Sequence, residues 1–181
     1  MRLPTPQAEL GEGQNEMVKS AVQEEFRQEV GRVSTLLRNG EAFIMRMVTF
    51  TDFKRSLEEA FGSGANVIFY MVGKGCGKRS CSRLMQKYPE RDRLFKALCR
   101  YKRNERWGRI KFKLDMKTGK GKIIVYESFE AKQYGKSQEP VCHFLKGYLE
   151  GFLTQAYNKP IKLVERACIA QGRPYCQFET T

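Results

Sequence analysis

Histidine and tryptophan occur once each, as His143 and Trp107, and no Ser-His-Asp set or dinucleotide fingerprint can be assembled from the chain. No run of about eighteen uninterrupted apolar residues exists, so no membrane-spanning helix is expected. The start, Met1-Arg2-Leu3-Pro4-Thr5-Pro6, lacks the apolar centre of a signal peptide, and a cytoplasmic location is expected. Gly73, Gly75 and Gly77 have the outline of a phosphate loop, but Gly77-Lys78-Arg79 lacks the hydroxyl that would hold magnesium, which argues against nucleotide binding there. Acid is scarce: 20 Asp and Glu face 33 Lys and Arg, a net charge of +13. Such an excess draws a protein towards nucleic acid, anionic membranes or acidic partners. The positive residues are nevertheless spread through 74–109 and 111–122, the pattern of a solvated basic face, so nucleic acid is a partner to test and not the favoured one.

What is present suffices for one core: a hydrophobic content of 41% over 181 residues supports a single domain with an appended element. Residues 1–14, with little apolar content, read as a flexible arm. Apolar positions from Met17 to Leu37 recur at helical spacing, with Asn15 as cap and Gly40 as stop, and predict a helix over 16–38. This gives an N-terminal helical segment, 15–40, ahead of a domain, 41–181. Phe43, Met45, Met47 and Thr49 alternate with Ile44, Arg46 and Val48, which predicts a short strand, with a helix as the alternative for so apolar a run. Thr51 or Asp52 then caps a helix that Gly62-Ser63-Gly64 breaks. A helix over 65–87 follows, whose three glycines are spaced to let another backbone come close.

After Pro89 a helix carries Leu94, Phe95, Leu98 and Cys99, and the period then changes to a hairpin around Lys117-Thr118-Gly119-Lys120. Residues 129–140 read as a polar loop, 141–157 as a helix ended by Asn158-Lys159-Pro160, and 161–170 and 175–179 as two strands around Gln171-Gly172-Arg173-Pro174. The fold class expected is α/β of the α+β kind: an antiparallel sheet with helices packed on it, preceded by a long N-terminal helix.

Six cysteines in a reducing compartment serve as metal ligands, core residues or redox thiols rather than as a disulfide framework. Cys76, Cys81 and Cys99 lie on helix patterns and read as core. Cys168 and Cys176 stand four residues before and four after Gly172, so antiparallel pairing sets them opposite one another, with Cβ atoms ~4.5–5.5 Å apart. Cys142 opens the preceding helix and brings a third sulfur. Zinc requires four ligands. Glu165 is the nearest acid on that strand, but positions three apart face opposite sides of a regular strand, so Glu165 and Cys168 share a metal only if a bulge intervenes. His143 and water are the rival fourth ligands, and a redox pair of Cys168 with Cys176 is the rival chemistry.

The stretch from Cys142 through Glu165-Arg166-Ala167-Cys168 to Gly172, Tyr175, Cys176 and Phe178 resembles the 4-vinyl reductase domain family, more loosely so back to residue 40. That resemblance implies an antiparallel sheet with helices, related to ligand-binding domains of nitric-oxide signalling and Golgi transport proteins. It also implies a structural zinc held by Cys142, Glu165, Cys168 and Cys176, frequent pairing as a homodimer, and sensing of a hydrophobic or aromatic small molecule. With the chain ending at Thr181, output is expected to pass through a regulatory protein partner, a dimer or the N-terminal helix. Candidate pocket residues are Phe69, Tyr70, Met71, Trp107, Phe112 and Tyr126. Two other functions stay open, a reductase of tetrapyrrole or vinyl chemistry suggested by the family name and a basic nucleic-acid-binding regulator suggested by the charge. Closed coordination by three thiolates and a carboxylate leaves no position for activated water and disfavours catalysis at the metal.

Overall fold

The computed structural model describes residues 34–181 together with residues 20, 23, 24, 27, 28 and 31. The chain divides into two compact units, Met1–Ile44 and Met45–Thr181. In the first, every described residue up to Arg38 is helical. That helix ends where Gly40 takes a φ of +71°, with the Glu41 amide donating to Leu36 O at 2.9 Å and the Gly40 amide to Leu37 O at 3.2 Å, a Schellman stop. The remainder of the expected helix, and the expected arm 1–14, lie outside the described residues.

The second unit begins with a correction. Residues 42–46 form no strand, and α1 (Met47–Phe61) starts four residues ahead of the expected Thr51 cap. Thr51 and Lys54 are both buried along one side of α1, and the Thr51 hydroxyl bonds back to Met47 O at 3.2 Å. The helical spacing of those inward residues prevails over the short apolar alternation that precedes them. Helices α2 (Gly64–Lys87) and α3 (Arg91–Asn104) follow, then strands β1 (Arg109–Leu114) and β2 (Gly121–Tyr126) joined by the expected turn. Its Asp115 carboxylate accepts the Lys117 and Thr118 amides at 2.9 and 2.6 Å, and Gly119 supplies the positive φ.

A second correction concerns 129–140. Its first half is the short helix α4 (Phe129–Tyr134), with Phe129, Glu130 and Ala131 all buried, and only the remainder is a loop. Six residues are too few to leave a helical period in the sequence. Helix α5 (His143–Tyr157), strand β3 (Leu163–Ala167), a 3₁₀ turn (Ile169–Gln171) and strand β4 (Cys176–Thr180) complete the domain.

The four strands form one antiparallel sheet in the order β1-β2-β4-β3. Helix α5 is apolar nearly all round, because it is covered on two sides. Leu145, Leu149, Phe152 and Leu153 share a core with Ile123, Val125, Leu163 and Phe178 of the sheet. Against α2 the contact is backbone to backbone. A Cβ on Gly73 or Gly77 would fall 2.1 Å from Phe144 O or 2.0 Å from Tyr148 O, and one on Gly147 or Gly151 would fall 2.1 Å from Tyr70 O or Lys74 O. Gly73 and Gly77 therefore do what the sequence anticipated, and α5 answers them with two glycines of its own four residues apart, Gly147 and Gly151. Gly75 faces away, towards the Arg79 guanidinium.

Candidate metal centre

Cys142 is the residue on which α5 begins, and its side chain makes no capping hydrogen bond. The capping is supplied from elsewhere: the Glu130 carboxylate of α4 accepts the Phe144 and Leu145 amides at 3.1 and 2.9 Å, and Glu165 accepts the Cys142 amide at 3.2 Å. The Cys142 sulfur is thus free to turn towards the C-terminal hairpin.

On that hairpin the register runs Leu163 with Thr180, Val164 with Glu179 and Glu165 with Phe178, then shifts so that Ala167 faces Gln177. One residue, Arg166, is extra. The bulge reverses the alternation and brings Glu165 and Cys168 to the same side, which an unbroken strand forbids. Cys168 lies just beyond β3, and Cys176 opens β4.

The ligand atoms of Cys142, Glu165, Cys168 and Cys176 all lie within 4.8 Å of one another. The sulfur separations are 3.9 Å for Cys142 to Cys168, 3.5 Å for Cys142 to Cys176 and 3.9 Å for Cys168 to Cys176. A tetrahedron with metal–sulfur bonds of ~2.3 Å has edges of about 3.8 Å. These are therefore spacings for thiolates around an ion, and all six cysteines are free thiols. His143 is not one of the clustered group, and burial lowers its pKa to about 4, leaving a neutral ring at pH 7.

Two observations test the fit of a cation. Glu165 Oε1 is buried with no hydrogen-bond partner, an orphaned acceptor on a residue of the cluster. The four groups also cannot all ionise by themselves. Burial, then the neighbouring Cys168 charge, raises Glu165 to about 9, and burial holds the Cys142 thiol well above its ordinary value. At Cys176 the contact with Cys142 pulls downward, but the contact with Cys168 and burial outweigh it and push that thiol up. Cys168 alone is strongly lowered, by hydrogen bonds from Cys142 and Cys176. One negative charge shared among four acidic groups is an arrangement that a divalent ion relieves. Outer contacts are in place too, from Ser128 Oγ to the Cys142 sulfur at 3.4 Å and from the Ile169 amide to the Cys176 sulfur at 3.4 Å. The cluster can hold a metal ion.

The candidate pocket residues divide. Phe69 and Trp107 belong to one chain of touching rings: Phe69 meets Phe50 at 5.8 Å, Phe50 meets Phe129 at 5.0 Å and Phe144 at 5.9 Å, and Trp107 meets Phe129, Phe144 and Tyr148 at 5.2, 5.5 and 5.0 Å. The buried Lys102 Nζ lies 3.7 Å from the Trp107 ring centre and bonds Glu105 at 2.6 Å. Tyr70 instead gives its hydroxyl to Glu150, Met71 is 59% exposed, Phe112 stacks on Phe95 and Tyr126 meets Tyr175.

The charged residues behind these groups left no signal in the sequence. Lys54 pairs with Glu130 at 2.7 Å in full burial and donates to Val141 O, tying α1 to the start of α5. Glu150 gathers Tyr70, Lys74 at 2.8 Å and the Leu163 amide at 3.0 Å.

Residues 122–181 match the model of the V-4-R domain, the 4-vinyl reductase domain. That segment contains all four clustered ligands and Tyr126, whereas the other five candidate pocket residues precede it. The resemblance read from the sequence is borne out. An uncharacterised protein of Methanocaldococcus jannaschii is 25% identical over 142 residues, covering 78% of each chain. The crystal structure of the phenol-responsive sensory domain of the transcription activator PoxR, with phenol, superposes with a TM-score of 0.67 at 18% identity, covering 77% of this chain and 75% of that one. A vinyl-4-reductase family protein from Methanocaldococcus jannaschii superposes with a TM-score of 0.58 at 19% identity, covering 97% and 98%. At these identities the likeness is one of fold. Among the described residues no helix is long and apolar enough to cross a membrane.

Proposed function

We propose that the chain is a small-molecule-binding sensor domain for a hydrophobic or aromatic ligand, stabilised by a structural zinc on Cys142, Glu165, Cys168 and Cys176. The observation that carries the reading is the convergence of three thiols and an orphaned carboxylate at the N-cap of α5, where Cys142 stands. The same helix presents Phe144 and Tyr148 to the ring cluster around Trp107. Metal and ring cluster therefore act on one element: zinc fixes where α5 begins, and a ligand among the rings shifts or stiffens the same helix. The likeness of fold to a domain that responds to phenol supports this choice of ligand class. Four protein ligands close the coordination sphere and make the ion's role structural. Output passes through a homodimer or a regulatory protein partner.

Native mass spectrometry of the purified chain tests the reading, since it reports metal, retained ligand and subunit number together. One zinc per chain and a mass increment from an apolar compound, lost on Trp107→Ala, are expected. A metal-free chain whose melting temperature no phenol or hydrocarbon raises would refute it.

A further inference from the structure

A second feature is lined by none of the four metal ligands and none of the clustered rings. The last turn of α3, the turn after it, the head of β1 and α4 enclose a cleft of about 250 Å³ lined by Arg103, Arg106, Arg109 and Lys132, with Glu127 and Met47 among the remaining walls. Arg109 reaches Glu127 at 3.5 Å in an exposed pair. Among the described residues Arg103, Arg106 and Lys132 have no carboxylate within ion-pair distance.

A solvated basic face is the simplest account of any one of these side chains, and two helix ends offset about one charge more. Arg103 and Lys132 stand in the last turns of α3 and α4, where each helix end offers about half a negative charge. Neutralisation is still incomplete. Four cations set against one carboxylate and two helix ends leave about +2 in one cleft. The helix dipole explains neither Arg109, which is on a strand, nor Arg106, which is in the turn.

The backbone is shaped around the same cleft. Arg106 and Glu127 hold φ of +63° and +56°, two of the three non-glycine residues with positive φ among those described. Both line it. Trp107 O accepts the Phe129 amide at 3.0 Å and locks the two walls together, and a Cβ on Gly108 would meet Tyr126 O at 2.8 Å. Backbone in such regions persists only where the surrounding structure holds it, and it clusters at ligand clamps.

We propose that this cleft binds a phosphate-monoester dianion, whose charge of about −2 matches the residual charge and whose oxygens suit paired guanidinium forks. Arg103 and Arg106 are the anchors, Arg109 closes on the ligand, and Glu127 competes with it. The inference is independent of the sensor reading.

Isothermal titration of the full chain with inorganic phosphate and, separately, with adenosine monophosphate tests it. Saturable binding in the sub-millimolar range is expected, weakened about tenfold or more in the Arg103→Gln/Arg106→Gln double variant and strengthened several-fold in Glu127→Gln. All three replaced side chains are exposed, so circular dichroism should be unchanged. Stronger binding of the nucleotide would mark it as the source of the phosphate, and equal binding would mark free phosphate as sufficient. Three results would overturn the proposal: no saturable heat with either probe, equal loss in an Arg83→Gln control, Arg83 being an exposed residue of α2 that does not line the cleft, or a preference for duplex DNA with the steep salt dependence of a multi-phosphate contact.

Discussion

Replacing Gly77 by alanine is expected to destabilise the domain, although alanine is the better helix former. The added Cβ would fall 2.0 Å from Tyr148 O, whereas a carbon meets a carbonyl oxygen comfortably at ~3.3–3.6 Å. The two helices must part by about 1.3 Å, and neither side can yield by a rotamer change because the obstruction is backbone. Overpacking of this kind costs ~1–3 kcal/mol, more when rigid elements must move, against a propensity gain of ~1 kcal/mol. A net loss of about 2 kcal/mol lowers the melting temperature by ~4–8 °C in a chain of this size. Gly75→Ala is the matched control on the same helix: its Cβ would meet only the mobile Arg79 guanidinium, at 3.3 Å, so the propensity gain survives and the melting temperature rises by ~2–4 °C. Thermal unfolding followed by far-ultraviolet circular dichroism reads both. Equal melting temperatures for the two variants would refute the close backbone contact.

Zinc loading at neutral pH is expected to release about three protons, from Cys142, Cys176 and Glu165, so that affinity climbs steeply with pH; calorimetry in buffers of different ionisation heat counts them, and release of one or none contradicts the ligand set. Lys54→Met strands the buried Glu130 carboxylate and should cost ~3–5 kcal/mol in urea unfolding near neutrality. Burial already raises Glu130 above its ordinary value, a group in that condition loses stability as pH rises, and the deficit of the variant should therefore shrink in acid. Glu150 behaves oppositely. Burial would raise it, but the bonds from Lys74, Tyr70 and the Leu163 amide outweigh that and hold it below the usual carboxylate range. Its contribution is complete above about pH 4.5 and lost as pH falls through its lowered value, and Glu150→Gln should flatten that acid limb of the stability profile.

The features legible in the sequence were those with a local period or a short spacing. The hairpin around Gly119, the close approach at Gly73 and Gly77 of α2, and the symmetric placement of Cys168 and Cys176 about Gly172 each reappear in the fold, whereas Gly75 faces away from the contact. The start of α1 was not legible, because an apolar run from Phe43 to Thr49 fits strand and helix alike, nor was α4, which is shorter than two turns. The bulge at Arg166 could be required by the ligand geometry but not located, since one extra residue in a five-residue strand leaves no periodic trace. Least legible were the buried charges. Lys54 and Glu130 stand 76 positions apart, and only the packed helices make them partners.

Zinc K-edge X-ray absorption of the purified chain measures the central claim most directly. The account predicts one zinc with three sulfurs at ~2.3 Å and one oxygen at ~2.0–2.2 Å, the oxygen shell altered by Glu165→Ala and one sulfur lost in Cys176→Ala. A chain that takes up no zinc, or an ion whose first shell contains histidine nitrogen and fewer than three sulfurs, would contradict it.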